Sequence, residues 1–316
     1  MKARTLVIAA ASAAVLAASA PVPARGIVAR PVGSPGAFPA GPVTSLLVRG
    51  GVLYAGTSGS GVVSFDLNAG NARAFTRKDG LPSDGVRSLA LFQGKVFAGT
   101  AAGLAVEDGN GWKEAGRDAP VSLGNATLAV APDGKEFWVG AMNLTGGVVR
   151  FDGARWVFVG GQGKGLFNDV GSFAFSPEGV LMGSTSGAVY RVRGSEIVPL
   201  GDGFPAANVT ALGERGGTIY AGTNRGLYLL RGAKWSPARV PAGFDGAPVY
   251  CILRSDLDLL VGGRTGLLLL DAKGETKVLS GRNGLPDGAV TALAAAGGTL
   301  YAATAGGVFE VTDWRE

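Results

Sequence analysis

Arg225 and Arg264 carry the most readable binding chemistry in this 316-residue chain. Each sits in a short turn-like segment, Asn224-Arg225 and Arg264-Thr265, bounded by glycine. Two guanidinium groups side by side make a fork for a carboxylate, a sulfate or a polar sugar. The alternative is a pair of solvated loop arginines. Asn224, Asn143, Lys164, Asp79 and Asn283 are polar residues expected on the same face, with Phe167, Phe204 and Phe244 among them. An aromatic flanked by polar groups suits a sugar ring, although these phenylalanines would equally serve to plug their loops.

Other chemistry is excluded by composition. The chain has no histidine, which removes serine–histidine and cysteine–histidine catalysis and histidine metal sites. The one cysteine, Cys251, lies in the apolar run Val249-Tyr250-Cys251-Ile252-Leu253 and reads as a small buried hydrophobe. Gly160-Gly161-Gln162-Gly163-Lys164-Gly165 lacks the spacing of a phosphate loop and the hydroxyl residue after lysine. Asp256-Leu257-Asp258 lacks the glycine and glutamate of a calcium loop. The expectation is a protein with no catalytic residue, no metal and no cofactor. A carboxylate- and arginine-dependent hydrolase or lyase ranks third among the readings. The formal charge of +5 is scattered without a run of Lys or Arg, so a nucleic-acid face is not expected.

The elements that position these residues come from an internal repeat. An apolar pair followed by glycine and a small residue recurs as Tyr54-Ala55-Gly56-Thr57, Phe97-Ala98-Gly99-Thr100 and Trp138-Val139-Gly140-Ala141. It returns as Leu181-Met182-Gly183-Ser184, Tyr220-Ala221-Gly222-Thr223, Leu260-Val261-Gly262-Gly263 and Tyr301-Ala302-Ala303-Thr304. The intervals of 43, 41, 43, 39, 40 and 41 residues match propeller blades. Within each copy an alternating strand such as Val43-Thr44-Ser45-Leu46 precedes the signature, and a third strand such as Gly61–Phe65 follows it. A weaker fourth strand carries Phe75, Trp112, Trp156 or Trp235. The signature glycine is expected where adjacent sheets approach closely.

The prediction is an all-β fold, a seven-bladed β-propeller of four-stranded antiparallel blades over residues 25–316. Blade seven runs out near Trp314 after three strands, and Gly26–Arg30 stands where a fourth would be needed. The N-terminal segment is therefore expected to complete the last blade. Residues 1–24 read as a signal peptide: Lys2 and Arg4, then an Ala-rich apolar stretch, then small residues. Cleavage after Ala20 or after Ala24 both fit, and the address implied is periplasmic or secreted. No stable membrane span is expected after cleavage, and the ring is expected to be a monomer.

The blade junctions Asp79-Gly80-Leu81-Pro82-Ser83-Asp84-Gly85-Val86 and Asn283-Gly284-Leu285-Pro286-Asp287-Gly288-Ala289-Val290 carry a more specific phrase. With the second-strand signature, it resembles the two-component regulator propeller repeat. The remaining junctions drift from that pattern. The family's second-strand tryptophan is here mostly Tyr, Phe or Leu. The resemblance implies an extracytoplasmic, sensor-like propeller without an output module of its own, binding a small polar or carbohydrate ligand or else an envelope protein.

Overall fold

The computed structural model describes residues 27–39, 41–131, 133–142, 147–160, 169–194, 196–205, 207–255, 258–271, 276–279, 285–286 and 288–314. The expected signal peptide lies outside them. Twenty-eight strands form seven four-stranded antiparallel sheets, each with its strands in chain order except the last. Blade one runs Val43–Arg49, Val52–Thr57, Val62–Asp66 and Ala72–Phe75. Blade seven takes Val290–Ala296, Thr299–Thr304 and Gly307–Thr312 from the end of the chain. Val28–Pro31 supplies its outermost strand. The register Val28↔Thr312 to Pro31↔Phe309 confirms the expected closure.

Why the strands form is visible in their burial. The second strands are mostly apolar and, past their first residue, almost wholly buried, as in Val52–Thr57 and Phe137–Ala141, because sheets cover both their faces. The turns between first and second strands in blades one, five and seven are Gly50-Gly51, Gly216-Gly217 and Gly297-Gly298. Both glycines of each pair have positive φ, the backbone of a type I′ hairpin that residues with a Cβ resist.

Seven apolar clusters fill the seven spaces between consecutive blades. The residue that opens each signature, such as Tyr54 or Tyr220, reaches into the cluster shared with the next blade. The signature glycine stands at the tightest point. A Cβ on Gly183 or Gly222 would lie 2.4 Å from a methyl of the next blade's first valine, Val209 or Val249. The expected role for this glycine is thus met in atomic terms.

Strand order also settles which loops gather at which end. In five blades a backbone bond ties the turn between second and third strands to the start of the same blade's first strand. These bonds run Ser58 N to Pro42 O, Ala101 N to Gly85 O, Thr185 N to Asp169 O, Asn224 N to Asn208 O, and Arg264 N to Pro248 O. Those turns therefore share one face with the blade-to-blade connections, as the repeat implied.

Candidate functional site

The innermost strands wall the central channel, and their second residues are set apart by the backbone. In six blades the register skips that residue: Val43 and Ser45 pair consecutively with Thr57 and Gly56, leaving Thr44 out. The same bulge leaves out Arg87, Gly171, Thr210, Tyr250 and Thr291. Blade three alone keeps a regular register through its equivalent, Thr127. A bulge re-aims the skipped side chain and is enriched beside functional sites. Here all seven positions line a cavity of about 780 Å³ at the connection-face end of the channel.

A belt of hydroxyls stitches the blades around that cavity. Thr44 Oγ1 donates to Val86 O at 2.7 Å, Ser88 Oγ to Ala126 O at 2.8 Å and Thr210 Oγ1 to Val249 O at 2.6 Å. Thr291 Oγ1 donates to Val43 O at 2.7 Å and so joins blade seven to blade one. Cys251 Sγ takes the equivalent place toward Val290 O at 3.9 Å. Ser172 occupies the same position in blade four, but its buried Oγ has no hydrogen-bond partner among the described residues.

Arg87 is the exception in this wall. It is half-buried, and its Nε–H donates to Thr127 Oγ1 at 3.1 Å. Burial pulls its pKa below the ordinary arginine value. Among the described residues lining the cavity it is the only charged one, and no carboxylate is there. Tyr250, two-fifths exposed, is the one exposed large hydrophobic among the described wall residues.

Cys251, expected to be a buried hydrophobe, is half-buried and lines the cavity. Burial is the main cause that pushes its thiol up to about 12. At pH 8 its thiolate fraction is then roughly a thousandfold below that of a free cysteine. The expected result is very slow labelling of the native protein by a disulfide reagent and rapid labelling in denaturant. Equal rates in the two states would contradict that burial.

The residues expected from sequence scatter around this hub. Arg225 and Arg264 are both exposed on the connection face, on turns of adjacent blades one strand out from the channel wall. Neither forms an ion pair among the described residues, and neither lines the cavity. The turns are equivalent but the arginines are not: Arg264 aligns with Asn224, and Arg225 with Thr265. The Asn224 side chain accepts from Asn208 N at 3.1 Å and shapes its own turn.

Asp79 caps a single 3-10 turn, Arg77–Asp79, by accepting from Thr76 N at 2.9 Å. Phe244 is 4% exposed in the cluster between blades five and six, so its ring plugs the loop and is not offered to a ligand. Phe204 is half-buried with its ring edge-on to Trp235 at 4.9 Å, which makes it a packing residue too. Asn143, Lys164, Phe167 and Asn283 lie outside the described residues.

Sequence reasoning missed Arg87 and Tyr250. The available signal was a column comparison: the residue after the first-strand Val or Ala is Thr in four blades and Gly in one, and Arg87 and Tyr250 break that column.

Similar folds occur in proteins of several kinds. The extracellular domain of a putative hybrid two component system from B. thetaiotaomicron superposes with a TM-score of 0.70 at 19% identity. The match covers 88% of this chain and 40% of that one, so the chain spans about two-fifths of that domain's length. Virginiamycin B lyase from Staphylococcus aureus matches with a TM-score of 0.67 at 14% identity, over 90% of this chain and 98% of the lyase. PorZ, a surface component of the type-IX secretion system of Porphyromonas gingivalis, matches with a TM-score of 0.65 at 17% identity, over 85% of this chain and 46% of PorZ. Identities this low establish a shared fold and nothing further. No family model and no curated protein matches the sequence.

Proposed function

We propose that this chain is a non-catalytic, extracytoplasmic, sensor-like propeller that binds a small polar or carbohydrate ligand at the hub of its connection face. The observation that carries this reading is the cavity of about 780 Å³, whose wall gathers hydroxyls, one cation and one accessible tyrosine ring. Its volume falls within the range of about 300–1,000 Å³ used by small-molecule sites. Arg225 and Arg264 stand outside the channel wall on the same face, where they add positive potential along the approach.

The extracytoplasmic address rests on the leader pattern of residues 1–24 and on the likeness to extracellular domains. The non-catalytic part rests on chemistry. A variant of the lyase with one histidine replaced by alanine is catalytically inactive, and this chain has no histidine to take that part. A scaffold in an envelope assembly is the second reading. The likeness to PorZ favours it, and so do the buried ring of Phe244 and the packed, half-buried ring of Phe204, which among the described residues leave Tyr250 as the one exposed large aromatic.

The test is a thermal-shift screen of the processed protein against mono- and oligosaccharides and small organic acids, followed by titration of each hit. Arg225→Ala with Arg264→Ala should weaken a charged hit by about tenfold. Because both side chains are exposed, the melting temperature of the free protein should stay where it is. Unchanged affinity for every hit removes the two arginines from the site. An empty screen alongside stoichiometric capture of an envelope protein replaces the ligand reading with the scaffold.

A further inference from the structure

We infer that Arg87 anchors an anionic group of the ligand, with carboxylate the form its two terminal NH2 groups fit best and sulfate or phosphate sharing the same two-oxygen edge. This rests on the ligand-binding reading and names the chemistry of its site.

The first support is positional. The same place in the other blades holds Thr44, Thr127, Gly171, Thr210, Tyr250 and Thr291. The ring is built there from threonine or glycine in five of seven blades, so the fold itself does not call for a guanidinium. At Thr44, Thr210 and Thr291 the side chain reaches the neighbouring blade's first-strand carbonyl, which is the structural duty of the position. Arg87 leaves that duty to Ser88, which donates to Ala126 O instead.

The second support is its set of partners. A guanidinium has five N–H donors. The Nε–H is used by Thr127, and that bond fixes the plane of the group. No hydrogen bond or ion pair to the terminal nitrogens exists among the described residues, and the cavity they line contains no described acid. The other half-buried arginines among the described residues have partners for their terminal nitrogens: Arg215 donates to the carbonyls of Leu270 and Asp271, and three others meet an acid. Arg49 meets Glu107, Arg150 meets Glu136, and Arg191 meets Glu178. Taking a cation partly out of water without a counter-ion is unfavourable, and the depressed pKa of Arg87 reports the same cost. A bound anion offsets it. Tyr250 lines the same wall and offers a ring face and a phenol to the remainder of such a ligand.

The experiment is calorimetric titration of the full processed protein with glucuronate, sulfate, inorganic phosphate and glucose, each up to about 10 mM. Wild type, Arg87→Met, Arg87→Lys and the Arg225→Ala/Arg264→Ala variant are compared. The expected result is binding of glucuronate that falls at least about tenfold in Arg87→Met and less in Arg87→Lys, which keeps the charge and loses the fork. Glucose should bind more weakly than glucuronate to wild type and equally to Arg87→Met. Melting of the ligand-free Arg87→Met protein should be unchanged or higher, because an unmatched sheltered charge has been removed. A purely structural arginine would lower it.

Three results overturn the inference. One is anion binding that Arg87→Met leaves intact. Another is glucose binding as tightly as glucuronate, or binding while no anion does, which leaves the ligand reading standing and removes the anion. The third is no heat from any anion with the folded wild type. Should Arg87→Met fail to fold, the contrast between wild type and Arg87→Lys decides the same question.

Discussion

Removing residues 25–32 lowers the melting temperature of the whole ring by about 10 °C, in one cooperative transition, and makes the protein prone to self-association. The deleted stretch holds the outermost strand of blade seven, paired with Gly307–Thr312 over four residues. It also holds Val32, which is 7% exposed in the cluster between blades seven and one, and whose N–H donates to Val308 O. Ile27 and Ala29 pack on the neighbouring cluster. Loss of that apolar burial and of the strand's ladder amounts to roughly 5 kcal/mol. At about 2–4 °C per kcal/mol for a domain somewhat smaller than this one, the shift is on the order of 10 °C. The newly exposed edge at Gly307–Thr312 is the source of self-association. Calorimetry and light scattering of the truncated protein check both parts. An unchanged midpoint would mean that the ring does not depend on this strand.

Gly99→Ala should cost about 3 kcal/mol or more, although it adds a single methyl group. Its Cβ would stand 2.3 Å from the carbonyl oxygen of Ala126 and 2.8 Å from Ser88 Oγ. That carbonyl belongs to blade three's innermost strand, which is paired along its length to Phe137–Ala141, and it already accepts the Ser88 hydroxyl. Backbone held on both sides has little room to retreat, so blades two and three must part. Gly59→Ala is the control: nothing lies within 4 Å of its added methyl and its φ is not positive. It should change stability by less than about 0.5 kcal/mol. Urea unfolding of the two variants gives the comparison, and equal midpoints would refute the close-approach role. Blade seven shows that the requirement belongs to each interface separately. Ala303 fills the signature position there, fully buried, against blade one.

The architecture was legible in the sequence because each blade repeats one local solution. Apolar pair, glycine and small residue recur wherever the second strand must pass between two sheets, and the closure followed from a strand missing beside Gly307–Thr312 and one to spare at Val28–Pro31. The candidate site was less legible. Whether Arg87 or Thr44 faces the channel depends on a one-residue slip against the second strand, and that slip is set by pairing across the sheet. Phe244 illustrates the opposite error. An aromatic in a long connection resembles a binding residue until the loop folds back and its ring fills the space beside Tyr220 and Val249. The arginines of blades five and six were placed on the right face, but turn position separates them, and only the pairing of Thr223 with Gly226 and of Gly263 with Gly266 reveals it.

The hydroxyl belt has a sense of rotation. Thr44, Ser88, Thr210 and Thr291 each give their proton to the blade that follows, the last of them across the join from blade seven to blade one. A hydroxyl has one proton, and once it is committed only lone pairs remain to offer. These four hydroxyls therefore meet a guest as acceptors, whereas Arg87 meets it as a donor. A guest satisfies such a wall by bringing its own O–H or N–H groups to the rim and its negative charge to a single point. On the proposed binding reading, bare oxyanions meet half of that requirement and neutral polyols the other half, so a molecule that combines the two would be held more tightly than either.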